Sequence, residues 1–168
     1  MFNALVVNKD EDGKTSAGVS QVSLDELPEG EVIVAVEYST VNWKDGLCLG
    51  SGGGLVRNYP HVPGVDFSGT VESSDDPRYS AGDKVILTGW RVGEAYWGGY
   101  AQKARVKADW LVPLPAGLTT KQAMAVGTAL HLKCVKLNIM LSFQYLLQDN
   151  GLDIELQMLM NILQDILF

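Results

Sequence analysis

The chain has 168 residues, a formal net charge of -7 and two cysteines, and these values exclude several classes of protein. A chain of this length is one ordinary domain, with or without an appendage. The acidic balance argues against a nucleic-acid partner, which normally meets a basic protein face. Cys48 and Cys134 form no CxxC pair, so a disulfide framework is not expected and a reducing, cytoplasmic compartment is predicted.

The two ends of the chain predict neither secretion nor a membrane span. The N-terminus carries acidic residues where a signal peptide has an apolar core. Polar residues such as Lys133, Lys136 and Asn138 interrupt the apolar segment near the C-terminus, and no apolar run reaches the length of a membrane helix.

Short apolar or alternating segments, separated by Gly, Pro, Asp and Ser, predict a β protein over roughly the first 115 residues. The predicted strands are Ala4–Val7, Glu31–Ser39, Asp66–Ser73, Lys84–Gly89, Gly98–Lys107 and Trp110–Pro115, and Gly13–Gly18 is predicted as a turn. In the second of these strands Val32, Val34 and Val36 share a face that we expect to be buried, and the opposite face is expected to be partly buried. Strands at this spacing with glycines at the bends favour a small barrel.

The composition changes near Ala129. A helix is predicted to begin at Thr119, with Gln122 as its capping-box partner. Beyond Ala129 the chain contains a single glycine, Gly151, and no proline. Five apolar residues then recur at spacings of four, three, four and three, which predicts an amphipathic helix: Leu152, Leu156, Leu159, Leu163 and Ile166. The alternative is a weakly structured tail, because a short helix gains little stability without packing.

For several motifs a structural role is favoured over a catalytic or binding role. The Gly-rich segment Gly50–Val56 lacks the spacing and the lysine of a phosphate-binding loop, so a flexible loop is favoured. His61 and His131 have no neighbouring ligands, which favours structural histidines over a metal site. Cys48 is expected to be a small buried residue rather than a nucleophile. The aromatic residues of the segment TGWRVGEAYWGGYAQ are expected to be core.

The motif NWKDG, Asn42–Gly46, is the most suggestive polar group because it follows a predicted strand, where side chains converge on a cleft. Two alternatives stay open for it. Lys44 and Asp45 can form a solvated ion pair, and Trp43 can belong to the core.

A succession of segments carries a family resemblance. They are LPEGEVIVAVEYSTVNWKDGL, RNYPHVPGVDFSGTV, DPRYSAGDKVILTGW, VGEAYWGGYAQKARVKADWLVPLP and AMAVGTA. Through them residues 1–129 resemble the N-terminal catalytic domain of the medium-chain dehydrogenase/reductase superfamily, in its zinc-free acrylyl-CoA reductase and quinone oxidoreductase-like branch. The resemblance implies a mainly β fold with some α-helix, a GroES-like β-barrel joined in the family to a Rossmann domain. It also implies NADPH as cofactor and reduction of the C=C bond of acryloyl-CoA, a similar enoyl thioester or a quinone-like substrate.

The resemblance also assigns roles to single residues. It implies Asn42, Trp43 and Asp45 as catalytic residues, and Trp43 and Thr128 as contacts of the cofactor. Trp43 stands where many relatives have a proton-donating Tyr; an indole cannot donate a proton at neutral pH, which leaves packing against the nicotinamide. Trp43, Lys44 and Asp45 replace the Cys-containing motif of zinc-dependent members, so no metal is implied.

The Gly-rich dinucleotide turn of the family does not follow Ala129, so we expect a chain that is truncated before the cofactor domain. Residues 130–168 are expected to form a helical tail that a frameshift, mis-splicing or recombination put in place of that domain. The competing hypothesis is a non-catalytic barrel fragment. Its tail and exposed apolar face would then form a homo-oligomer or bind a partner protein.

Overall fold

The computed structural model describes residues 1–50 and 54–135, with side chains as far as Thr128. Part of the predicted Gly-rich loop, the side chain of His131 and the predicted helical stripe from Leu152 to Ile166 lie outside the described residues. No helix in the described part of the chain is long and apolar enough to cross a membrane.

Antiparallel strands dominate the described residues. In chain order the elements are β1 (Phe2–Lys9), β2 (Thr15–Val22), β3 (Val32–Ser39), α1 (Trp43–Leu49), β4 (Asp66–Ser74), β5 (Lys84–Thr88), β6 (Lys103–Val106), β7 (Leu111–Pro113) and α2 (Thr120–Val135). Five strands form one sheet in the order β6-β3-β4-β5-β7, and β1 pairs with β2 in a second sheet. Helix α2 packs on β3, β4 and β5.

The alternation in β3 has the predicted consequence. Val32 and Val34 are fully buried and Val36 is nearly so, whereas the opposite face is partly buried. These valines form one core cluster with Phe67, Val85 and Leu87 of the neighbouring strands. A second cluster, which includes Leu5 and Tyr100, packs β1 against the segments that precede β4 and β6. The β3 and β4 strand predictions are therefore confirmed to within one residue at each end.

Two predictions near the ends of strands are wrong. The segment Gly13–Gly18 is mostly strand β2, and the turn lies earlier, where Asp10 accepts the amides of Gly13 and Lys14. β2 is exposed along most of its length, so backbone pairing with β1 holds it and no apolar alternation marks it. The predicted strand from Gly98 keeps only β6, because the amides of Gly98 and Tyr100 donate to the carbonyls of Val62 and Pro63.

The start of α2 follows the sequence prediction. The side-chain oxygen of Gln122 accepts the amide of Thr119 at 2.9 Å, and the amide of Gln122 donates to the Thr119 hydroxyl at 3.2 Å. This reciprocal pair is the predicted capping box, which satisfies donors that the first helical turn leaves unpaired.

Candidate functional site

The NWKDG motif forms the start of helix α1. Asn42 has an extended backbone, and the helix begins at Trp43. The carboxylate of Asp45 reaches back to accept the Asn42 amide at 2.8 Å, which satisfies a donor that no helical carbonyl can reach. The motif therefore lies at a helix N-terminus that directly follows strand β3, and the geometry of α1 depends on Asp45.

Asp66, the first residue of β4, is fully buried and gathers donors from three parts of the chain. Its Oδ1 accepts the Thr40 amide at 3.0 Å, and the Thr40 hydroxyl lies 2.7 Å from both carboxylate oxygens. Its Oδ2 accepts the Asn42 side-chain amide at 3.4 Å and the Thr128 backbone amide at 3.0 Å. Asp66 thus ties the end of β3, the start of α1 and helix α2 to one point.

Thr128 reaches Asp66 because α2 is kinked at Gly127. Gly127 has φ 42° and ψ -172°, a conformation that L side chains rarely adopt. A Cβ there would also lie 2.9 Å from Cγ2 of Thr40. The kink turns the Thr128 amide toward the carboxylate, while the Thr128 hydroxyl is buried without a hydrogen-bond partner in the described structure.

Asp45 is the second fully buried carboxylate. Its Oδ1 accepts the amides of Gly64 and Val65, both at 3.1 Å, and the Tyr100 hydroxyl lies 2.9 Å from its Oδ2. Burial raises the pKa of Asp45 to about 6, with a further increase from the charge of Asp66, although its hydrogen bonds oppose the shift. We call Asp45, Asp66 and their hydrogen-bond donors the carboxylate cluster.

The two alternatives for the NWKDG motif are wrong. Lys44 pairs with Glu94 at 2.5 Å rather than with Asp45, because Asp45 points into the protein. Trp43 is 44% exposed, so it is not a core residue. Of the predicted site residues, the structure brings Asn42 and Thr128 together on one oxygen of Asp66 and leaves the neighbouring Trp43 accessible.

Cys48 and His61 are buried and share one acceptor. The Cys48 thiol donates to the carbonyl of Gly93 at 3.1 Å, and Nε2 of His61 lies 2.8 Å from the same oxygen. Burial raises the pKa of Cys48 to about 12 and lowers the pKa of His61, so both are neutral near pH 7. Cys48 is thus buried as expected, and His61 is a buried, hydrogen-bonded side chain. Within the described residues, no three His, Cys, Asp or Glu side chains are grouped to hold a metal ion.

The loop after β5 exposes aromatic residues, against the expectation that they are all core. Trp90 is 57% exposed and Tyr96 is 44% exposed. Both rings contact Trp110, with centroid distances of 6.4 Å for Trp90 and 4.8 Å for Tyr96. We call these three residues the aromatic platform. Tyr100, from the same segment, is fully buried as expected.

Sequence reasoning missed several residues of the site. The sequence predicts no role for Thr40 or Tyr100, and the family resemblance implies for Asp66 only that it stands at the position of a glutamate in zinc-dependent members. Their partners lie far along the chain: Asp66 and Thr128 are separated by 62 residues, and Asp45 and Tyr100 by 55. No local pattern encodes such contacts, and the sequence signals Asp66 only as an aspartate at the start of a predicted strand.

Comparison with known proteins gives consistent matches. Residues 28–116 match the model of the alcohol dehydrogenase GroES-like domain. The acrylyl-CoA reductase AcuI of Ruegeria pomeroyi is 77% identical over 130 residues, which are 77% of this chain and 39% of AcuI. The candidate quinone oxidoreductase YhfP of Bacillus subtilis is 46% identical over 129 residues, again 77% of this chain and 39% of the relative.

A solved structure also matches. The yhdH oxidoreductase of Salmonella enterica, in complex with NADP, superposes with a TM-score of 0.72 at 51% identity, covering 76% of this chain and 39% of that one. The chain therefore spans about two fifths of the length of these relatives. The predicted resemblance and the mainly β, GroES-like fold are confirmed.

Proposed function

We propose that this chain, which belongs to the alcohol dehydrogenase GroES-like domain family, carries the substrate side of an oxidoreductase active site. The reaction proposed is NADPH-dependent reduction of the C=C bond of acryloyl-CoA, a similar enoyl thioester or a quinone-like substrate. Relatives named as acrylyl-CoA reductase and oxidoreductase support this class of reaction. Because the chain spans about two fifths of those relatives, the activity belongs to the chain together with a cofactor-binding part.

One observation carries the proposal: Asn42 and Thr128 donate to the same carboxylate oxygen of Asp66. The residues assigned to substrate and cofactor come from distant parts of the sequence, and Asp66 fixes them against each other. Positioning of this kind supplies a large part of an enzyme's rate enhancement, because reacting groups held in place lose little further entropy. Asp66 is therefore a positioning residue in this proposal.

Two features fit a nicotinamide cofactor. Trp43 presents an accessible aromatic side chain at the start of α1, and the Thr128 hydroxyl is a buried polar atom without a partner in the described structure. An unpaired buried hydroxyl costs free energy, and a ligand amide or hydroxyl would satisfy it. Bound NADPH would supply the reducing equivalent; Trp43 would pack against it and exclude water, and Thr128 would hydrogen-bond it.

The proton of the reduction does not come from Trp43, since an indole is not an acid at neutral pH. Asp45, in the first turn of α1, is fully buried and hydrogen-bonded on both oxygens, so it does not touch substrate. We assign to Asp45 the role of holding Asn42 and Tyr100 in position. Burial raises the pKa of Tyr100 far above its ordinary value, which keeps its hydroxyl protonated as a donor.

The same proposal includes a zinc-free site and a cytoplasmic location. Trp43 and Lys44 provide no thiolate or imidazole at the start of α1, and the nearest cysteine, Cys48, is a buried thiol bonded to a carbonyl. The location rests on the cysteine usage of the sequence.

A chimaera tests the function. Residues 1–129 of this chain would replace the matching segment of the Ruegeria pomeroyi reductase, and acryloyl-CoA-dependent oxidation of NADPH would be followed by absorbance. We expect activity within about tenfold of the parent, because the exchanged segment is 77% identical to the one it replaces. Thr128→Val in the chimaera should raise KM for NADPH, whereas Thr119→Val, at the cap of α2, should not. A folded chimaera that binds NADPH without turnover contradicts the proposal.

The non-catalytic hypothesis has its own support. Leu118 and Val126, before and within α2, are 43% and 50% exposed, and a partner that covered them would bury apolar side chains. Analytical ultracentrifugation of the full chain, with a Val126→Glu variant for comparison, tests it. Association that the glutamate abolishes, together with an inactive chimaera, would favour this second function.

A further inference from the structure

The loop after β5 contains a turn in which two residues with large side chains have an unfavourable backbone conformation. The Val92 amide donates to the Gly89 carbonyl at 3.1 Å, and the two central residues, Trp90 and Arg91, have φ of 55° and 60°. Turns with positive φ at both central positions normally hold Asn-Gly, because larger side chains clash with the backbone there. A Trp-Arg pair in this turn is strained, and strain at a non-glycine position is a reason to look for a function.

The strained turn presents Trp90 to solvent on an anchored surface. Trp90 lies nearly parallel to Trp110, with 19° between the ring planes, and Trp110 packs against the main core cluster. Tyr96 completes the aromatic platform, with its ring tilted by 52° against that of Trp110. The platform is rigid at its base and accessible at its top, the arrangement on which planar bases stack.

Cations accompany the platform. The Lys107 ammonium lies 5.6 Å from the centroid of the Trp110 ring, and the exposed Arg91 directly follows Trp90. Within the described residues Arg91 forms no ion pair with a carboxylate, whereas Asp109, next to Trp110, is paired with Arg78 at 2.7 Å. In a chain of net charge -7, a stacking surface with two such cations matches a planar base that carries phosphate.

The platform is also tied to the helix of the candidate site. Lys44 of α1 pairs with Glu94 of the same loop at 2.5 Å, and the Cys48 thiol donates to the Gly93 carbonyl. The loop therefore keeps a fixed position relative to α1, whose first residue is Trp43.

We infer that the aromatic platform, with Lys107 and Arg91, binds the phosphorylated adenosine end of a coenzyme A thioester. This inference rests on the proposed function, since it identifies the acyl-CoA as the substrate class over a quinone. The adenine stacks on Trp90, and the 3′-phosphate meets the ammonium and guanidinium groups. The acyl end is left free to extend toward the start of α1.

Binding of free coenzyme A to the full chain, measured by isothermal titration calorimetry without NADPH, tests the inference apart from any turnover. We expect dephospho-coenzyme A, which lacks the 3′-phosphate, to bind about tenfold more weakly than coenzyme A. Lys107→Ala should weaken the binding of coenzyme A several-fold and reduce the difference in affinity between the two ligands, because Arg91 remains as the second cation. Lys9→Ala is the matched control, since Lys9 lies 5.7 Å from the ring of Tyr59 in an equivalent cation–aromatic pair. It should leave both affinities unchanged.

Arg91→Gly provides a second variant that separates binding from folding. Glycine relieves the positive φ, so the variant should unfold at the same or a higher urea concentration, yet bind coenzyme A several-fold more weakly.

Equal affinities for the two ligands in the unaltered chain, no binding at all, or undiminished binding in both variants would each overturn the inference. NADPH competing fully with coenzyme A at the platform would also overturn it, because the platform would then hold the cofactor's adenosine. If coenzyme A binds as expected but the chimaera is inactive, the inference about the platform holds and only the proposed reductase function is contradicted.

Discussion

The carboxylate cluster and the aromatic platform face opposite physical demands. In the cluster, Asp45 and Asp66 are fully buried and almost every polar group has a partner, so the groups fix each other. On the platform, Trp90 and Tyr96 are exposed, and Arg91 lies in a strained turn. Residues of the buried cluster can therefore position a site, whereas residues of the platform have exposed surface with which to contact a ligand. Buried ionised groups are costly unless they are satisfied, whereas exposed aromatic side chains gain from whatever covers them.

Among the changes that test this comparison, replacing Asp66 should have the largest effect on stability. Asp66→Ala removes the acceptor of the part-buried Thr40 and Thr128 amides, and it leaves the Asn42 side-chain amide with the Thr40 hydroxyl as its remaining acceptor. We expect the free energy of unfolding to fall by about 3–5 kcal/mol, since each unsatisfied donor costs about 1–3 kcal/mol. Urea denaturation followed by fluorescence measures the loss, and Asp25→Ala, at an exposed aspartate, serves as the control. A loss below about 1 kcal/mol would show that the cluster does not hold these elements together.

The pH dependence of stability should identify Asp45. The folded chain keeps the Asp45 proton up to about pH 6, whereas the unfolded chain releases it near its ordinary pKa of 3.8. Between these values the folded state binds more protons, so stability falls as pH rises, by on the order of 3 kcal/mol. Asp45→Asn should remove this contribution, and its curve should differ from that of the unaltered chain mainly between about pH 4 and pH 6. Asp12→Asn, in an exposed turn, should run parallel to the unaltered chain.

The kink at Gly127 gives a smaller and more local test. Gly127→Ala should destabilise the chain by about 2 kcal/mol, because alanine rarely adopts this backbone and its Cβ meets Cγ2 of Thr40. Gly117→Ala, at φ 87° with open space around it, reports the backbone cost alone. Thr40→Ser removes Cγ2 and keeps the hydroxyl that donates to Asp66, so it should recover part of the loss. If the double variant is no more stable than Gly127→Ala, the steric contact is not the cause.

The ion pair between Lys44 and Glu94 should contribute least. Lys44 is largely exposed, so Lys44→Met should cost no more than about 1 kcal/mol in thermal or urea denaturation. Glu94 is mostly buried, and Lys44→Met leaves its charge without a partner. Lys44→Met/Glu94→Gln removes that charge as well, so the double variant should lose less stability than Lys44→Met alone. Coenzyme A binding in the double variant also reports whether the pair fixes the platform loop relative to α1. Unchanged stability and unchanged binding would show that the other contacts of the loop suffice.

Local order was readable from the sequence wherever a few neighbouring residues carry the signal. The alternation of Val32, Val34 and Val36 predicts β3 and its buried face, and Thr119 with Gln122 predicts the start of α2. The ordered segments of residues 1–129 identified the GroES-like fold, as the matches confirm. Strand β2 was not found, because it is exposed and held by pairing alone.

The tertiary structure decided which side chains meet. It paired Lys44 with Glu94, 50 residues away, buried Asp45, and joined Thr128 to Asp66 across 62 residues. It also exposed Trp90 and Tyr96, whose residue types favour burial. Helical and strand periods repeat within a few residues and so appear in the sequence itself, whereas the partners of a buried charge depend on how distant segments pack, which no short pattern contains.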